Sequence, residues 1–478
     1  KSRGLGDVYK RQAMSLSKVN KDSKLLAKFG YKQDLNRSMK SFSSFAISFS
    51  LISILTGIFA NFHFGYSEVG PWISLSWLIV FAGQFFVALI MAELSVRFPI
   101  SGYGYQWSSR LVNPKLGFAT GWLLLMQFLT GFPGICKTLG LVLSEFLSQV
   151  FSIQVSDITI SIIIIWIITL IHKNGIKMVS YINNIGVITE IIGVILLILA
   201  LGFFVTNGID NFSISNITND FKFSDIGLKS FALSILLGAW CLTGFEAAAD
   251  MSEETKNPTK IVPKSIINSL VTSGLFGIVI IILSIILLQK DIYINGSENF
   301  LTDLLRNEFG IVLYSVILLF VIAAIFACGV ACMATASRLI FSMSRDSILP
   351  KSNWLRSIDK NKSPGNSLIL IGILATLFII IFNKIEVITS VSAIAGYIGY
   401  CGIIYSSFYL KNDTKIGIKT SKVLKFFTLL WCVFVVLCLI IPGQSIEGFE
   451  TEYVPAISTL IFLILGLIIY ITVSYTHL

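Results

Sequence analysis

Two short stretches, Leu55-Thr56-Gly57-Ile58 and Leu242-Thr243-Gly244-Phe245, place a glycine beside a hydroxyl in the middle of long apolar segments. Glycine tolerates unwound backbone, and a threonine hydroxyl can bond the groups that unwinding frees, so both stretches predict helices interrupted at membrane depth. An interrupted helix presents backbone N–H groups and a positive dipole end where water is scarce, a setting that suits a carboxylate. Ser53, Thr56, Gly57 and Ile58 are therefore candidate substrate ligands on the first break, and Thr243, Gly244 and Phe245 on the second. Trp240, one turn before the second break, could stack over a substrate or, like Phe245, cover its ammonium group. Gln127 and Thr130, one turn apart, are candidates for further polar lining. One Thr-Gly pair reads as close packing of small residues; two at matching places favour a binding site.

Ionisable groups at membrane depth are costly and therefore candidates for ion coupling or gating. Glu246 follows the second break and is a candidate for proton uptake, with Trp240 as a gate beside it. Glu190 and Lys137 lie about 14 Å and about 30 Å from the same membrane face at 1.5 Å per residue, so no direct pair is expected. Lys137 is expected to snorkel to the outer surface or point into an outer vestibule. Glu93 and Arg97 read as an i,i+4 pair, and Asp250, Glu253 and Glu254 as a solvated face. Cys328 and Cys332, also i,i+4, have no histidine nearby and read as helix packing. No metal and no cofactor is expected. His63, His172 and His477 are too scattered for an enzyme centre, and no ring of like charge marks an ion channel.

These residues need spans to hold them. The 478-residue chain is 55% hydrophobic and 13% charged, with mean hydropathy +0.82. Globular soluble domains carry about 25% charged residues. Runs of 18 or more apolar residues mean transmembrane helices, which excludes a soluble enzyme and turns the net charge of +10 from nucleic-acid binding to topology. Twelve spans are predicted, near residues 44–66, 72–96, 116–143, 157–172, 180–205, 228–250, 265–289, 309–340, 367–383, 387–409, 424–442 and 455–473. Counted from Met14, loops on the side of the N-terminus hold 26 Lys and Arg and the opposite loops five, which predicts cytoplasmic termini in a multi-pass cytoplasmic-membrane protein.

Residues 14–43 form a basic tail, spans 1–5 (44–206) a first half, spans 6–10 (228–410) a second, and 424–473 the last two spans. Two five-helix halves must insert with opposite topology, the inverted-repeat plan of many carriers. Residues 1–13, before the first Met, and the closing Val-Ser-Tyr-Thr-His-Leu read as non-native sequence. The polar 206–227 loop is expected to cover the outer face, and Asn211 and Asn216 match glycosylation acceptors there.

Several motifs resemble the amino acid–polyamine–organocation transporters over residues 30 to 470. They are Ser53-Ile-Leu-Thr-Gly57, Ala92-Glu-Leu-Ser-Val-Arg-Phe-Pro-Ile-Ser-Gly102, Gly244-Phe-Glu246, Met251-Ser-Glu-Glu-Thr-Lys-Asn-Pro258 and Thr335-Ala-Ser-Arg-Leu-Ile-Phe-Ser-Met-Ser-Arg-Asp346. The span 6 motifs are most similar to the amino acid/choline branch. The resemblance implies an all-α, LeuT-like arrangement of twelve helices in a 5+5 inverted repeat, with helices 1 and 6 broken. It further implies a secondary transporter for a small amino acid or related amine, with H+ as coupling ion. The substrate carboxylate falls on Thr56 and Gly57, the amino group near Thr243, an aromatic gate on Trp240 and proton sensing on Glu246. Proton-coupled relatives often carry a Lys in span 5 near the place where this chain has Glu190, which departs from that pattern. An exchanger or facilitator without ion coupling, or a nutrient sensor, is the competing reading.

Overall fold

The computed structural model describes residues 22–207, 224, 226–288, 300–411, 418–441, 443–444 and 452–476. Residues 1–13, 477–478, the two asparagine acceptors and nearly all of the 206–227 loop lie outside the described residues, while 473–476 continue the last helix to Thr476.

Apolar sequence without interior breaks becomes helix, because in lipid each backbone N–H and C=O must be bonded within its own segment. Eight described stretches are long and apolar enough to cross a bilayer, and one of them, Ser41–Arg97, contains both span 1 and span 2. Three shorter apolar helices, Asp157–His172, Leu228–Cys241 and Gly365–Ile381, supply spans 4, 6 and 9, which completes twelve. Two observed spans run well beyond the apolar runs that predict them. Span 3 extends over Pro114–Phe151 and span 5 over Ile176–Asn207. Span 8 is continuous over Phe300–Arg345 except at Gly310, where a φ of 67° kinks it.

Span 3 packs along spans 10 (Ile385–Ser407) and 8, and span 2 (Ile73–Arg97) along span 7 (Pro258–Leu288). Spans 11 and 12 turn Leu430, Leu437, Leu460 and Leu467 outward, each about half exposed, as a lipid-facing wall requires. The predicted loop between spans 2 and 3 contains a short helix, Tyr103–Leu111, whose first six residues are buried under the bundle.

Candidate functional site

Span 1 breaks three residues earlier than the Thr-Gly pair suggests. Helix Ser41–Ile52 ends and helix Ile54–Val69 begins on either side of Ser53, which sits at φ 32°, ψ 94°. The reason is capping. The Ser53 hydroxyl accepts from the Thr56 hydroxyl at 2.7 Å and from the Thr56 backbone N–H at 3.4 Å, so a serine closes the orphaned end of the second half. Gly57 is helical, and its need is space. A Cβ there would lie 2.2 Å from Cys241 Sγ and 2.4 Å from Cys241 Cβ, so the glycine lets span 1 meet span 6.

Span 6 breaks where expected. Helix ends at Cys241 and resumes at Ala247, with Gly244 at φ 106° between them. Its freed backbone groups find partners on spans 1, 2 and 6. Gln84 donates to the Leu242 carbonyl at 3.0 Å, and Ser48 donates to the Phe245 carbonyl while accepting from Ala248 N–H, both at 2.9 Å. The Gly244 N–H donates to Glu246 Oε2 at 2.9 Å. Tyr400 and Gln127 donate to Glu246 Oε1 at 2.6 Å and 3.1 Å. Unmade bonds at membrane depth cost several kcal/mol each, so this buried carboxylate is built into the break that it follows.

The two breaks meet at a cavity holding about 360 Å³ of empty space, part of it open. Of the candidates named from the sequence, Thr56, Gln127, Trp240, Thr243 and Gly244 line it. Ser53, Gly57, Ile58, Thr130 and Phe245 do not. The Thr130 hydroxyl turns back to the Met126 carbonyl at 2.8 Å, and the Phe245 ring is fully buried toward Tyr400. Sequence reasoning missed Gly131 and Ser392, whose hydroxyl donates to the Gln127 carbonyl at 2.8 Å. It read Cys328 and Cys332 as packing; both are buried and both also wall the cavity. Glu190 is fully buried, facing Ser53 and the backbone of Ile54 and Leu55.

The acids after span 6 are not a solvated face. Glu254 holds Arg338 through two bonds at 3.0 Å and 3.2 Å, with both side chains essentially without exposure. Glu253 holds Arg345 at 2.9 Å and 3.0 Å, and Asp250 accepts from Gly102 N–H at 2.6 Å. The N-terminal tail lies over this cluster. Tyr31 donates to Asp346 at 2.8 Å and stacks under the Arg345 guanidinium at 3.6 Å, while Arg37 donates to the Ser252 and Thr255 carbonyls. Burial, then the Asp346 charge, push the Tyr31 hydroxyl above the usual phenol range, so it remains a donor. Glu93 and Arg97 form the expected pair at 3.3 Å on the same side, and Glu93 also accepts from Thr420 N–H at 3.0 Å.

At the far end from the tail, Lys137 does not reach for the surface. It is 5% exposed and pairs with Asp157, the first residue of span 4. Both line a second, larger cavity between spans 1, 3 and 10.

Twelve apolar spans among the described residues, with two broken helices meeting at a central cavity, define a membrane transporter. Comparison with known proteins agrees. A sequence profile described as amino acid permease matches residues 39–474, and the chain belongs to that family. It is 28% identical over 416 residues to the amino-acid permease BAT1 of Arabidopsis thaliana, covering 78% of each chain. It is also 24% identical over 464 residues to the thiamine transporter thi9 of Schizosaccharomyces pombe, covering 85% of this chain and 77% of the relative. Among solved structures, the manganese transporter of Eremococcus coleocola, determined with an aromatic bis-isothiourea compound, superposes with a TM-score of 0.58. That match spans 91% of this chain and 94% of the other at 10% sequence identity, so it speaks to the fold.

Proposed function

We propose that the protein carries a small amino acid or related amine across the cytoplasmic membrane by alternating access, with both termini in the cytoplasm and a proton as coupling ion. One observation carries this reading. Both interrupted helices open into a single cavity, where the N-terminal end of the second half of span 1 at Thr56 favours a carboxylate by its dipole and Trp240 offers a ring face to an ammonium group. The tail side is sealed by ion pairs and the far side holds an open cavity, which fits the outward-facing member of a two-state cycle.

Proton coupling is better placed at Glu190 than at Glu246. Glu246 is held by three donors that the span 6 break requires. Glu190 faces the N-terminal end of the second half of span 1, the same positive end that a substrate carboxylate would approach from the cavity. An ionised Glu190 occupies that end's electrostatic place, and a protonated Glu190 leaves it for the substrate. Proton binding and carboxylate binding are linked through one helix terminus.

The test is uptake into proteoliposomes of a panel of amino acids, γ-aminobutyrate, choline, polyamines and thiamine, with and without an imposed pH gradient. An inward proton gradient should accelerate uptake by wild type, and Glu190→Gln should lose that acceleration while retaining exchange. Full acceleration in Glu190→Gln moves coupling elsewhere, and no uptake of any compound sinks the transport reading. The thiamine transporter among the relatives favours keeping larger organic cations in the panel.

A further inference from the structure

The far-side cavity holds about 790 Å³ of empty space, open solvent included, between spans 1, 3 and 10. It lies beyond the central site along spans 1 and 3. Phe59 of its wall is one turn beyond Thr56, and Lys137 is two residues beyond Ile135, where Thr56 and Ile135 both line the central cavity. Its charged lining is balanced, with Lys137 and Lys384 against Asp157 and Glu386, and His63 beside them. A funnel for anions or for cations would hold one sign in excess, because that is what raises the local concentration of a charged solute. Paired opposite charges around a phenyl floor complement a molecule that carries both.

Lys137 sharpens the point. It is 95% out of solvent, and among the described residues Asp157 is its only hydrogen-bonding partner. An ammonium group has three donors, so two are left at the edge of the cavity. Asp157 spends one oxygen on the Ile158 N–H at 2.8 Å and the other on Lys137. A carboxylate docked on Lys137, with its α-ammonium toward Asp157 or Glu386, would complete a ring of alternating charge.

We infer that this outer cavity is a second binding site, organised by the Lys137–Asp157 pair, that holds a zwitterionic amino acid before it reaches the central cavity. The inference rests on the amino acid reading given above. The alternative is that the pair only ties span 3 to span 4.

Equilibrium dialysis of the full-length protein against a uniformly 14C-labelled mixture of L-amino acids, then against the retained amino acid alone, separates the two. The central site is blocked with Gly131→Leu. Gly131 faces the central cavity, and the nearest atom to an added Cβ is the Ser392 hydroxyl at 3.0 Å, so a leucine fills space instead of parting helices. Wild type should bind two equivalents, Gly131→Leu one, Lys137→Gln one, and the double variant none. Because a lone Asp157 could destabilise the fold, Lys137→Met with Asp157→Asn provides a neutral pair of similar shape. That variant should also lose one equivalent, at unchanged melting temperature.

Two equivalents retained by the neutral pair, or one equivalent in wild type that Gly131→Leu abolishes, overturns the inference and leaves the central site standing. Absence of amino acid binding to every form overturns the amino acid reading itself. On Gly131→Leu the amide of the retained amino acid, which lacks the carboxylate, should compete at least about ten-fold more weakly, or about 1.4 kcal/mol. Equal competition overturns the assignment to zwitterions.

Discussion

Replacing Gly57 by alanine adds one carbon at the tightest crossing of the two broken spans. That carbon would lie 2.4 Å from Cys241 Cβ and 2.2 Å from its sulfur, where ordinary contacts begin at 3.4 Å. Spans 1 and 6 would have to part by about 1 Å, and overpacking of that kind costs about 1–3 kcal/mol. Because the same crossing sets the distance between the two cavity walls, initial uptake by Gly57→Ala should fall about ten-fold or more, with a lower melting temperature in detergent. Cys241→Gly removes both offending atoms and leaves only Cys241 Cα, 3.2 Å from the new carbon. The double variant Gly57→Ala/Cys241→Gly should therefore recover most of the lost uptake and stability, with a coupling energy of about 1–2 kcal/mol in the cycle. Uptake in proteoliposomes and thermal unfolding of the four forms give both readouts. Additive losses would refute the reasoning, because they would mean that Gly57 serves the substrate or the backbone and not the approach of the two spans.

Other outcomes follow from the same geometry. Glu254→Gln leaves the Arg338 charge without its buried counter-charge and should destabilise the protein by about 3–5 kcal/mol, read as loss of folded material on size exclusion after mild heating. Tyr400→Phe removes the shortest bond to Glu246 and should cost about 1–3 kcal/mol of stability without altering the proton dependence of uptake; a shifted pH profile would return coupling to Glu246. Tyr31→Phe keeps the ring beneath Arg345 but removes the donor to Asp346, and should raise labelling of a Ser101→Cys reporter by a thiol reagent more than it lowers the melting temperature. No change in labelling would mean that Tyr31 does not seal that side.

Much of this arrangement is legible in the chain because the bilayer is a strict solvent. Every span follows from apolar length, and the break in span 6 follows from Gly244, whose positive φ few other residues tolerate. The break in span 1 is misplaced by three residues because glycine has two separate uses, unwinding and close approach. Only the partner chain segment, Cys241, tells them apart. Asp250, Glu253 and Glu254 read as a solvated face because their partners are remote. Arg338 lies 84 residues from Glu254 and Arg345 92 residues from Glu253, beyond any local pattern. Ser392 was invisible for the opposite reason: a serine among small residues in span 10 resembles helix packing until span 3 is laid beside it.

The tail bears on how the protein is made. Tyr31 meets Asp346 across 315 residues of chain, and Met39 pairs with Thr255 on the way. During synthesis the tail emerges first, yet its docking surface is complete only when span 8 has been inserted. Until then Tyr31 lacks the acceptor and the guanidinium that hold it. The seal on that face closes only across most of the chain, so lesions in a short N-terminal stretch should act on assembly of the whole bundle, far from any substrate.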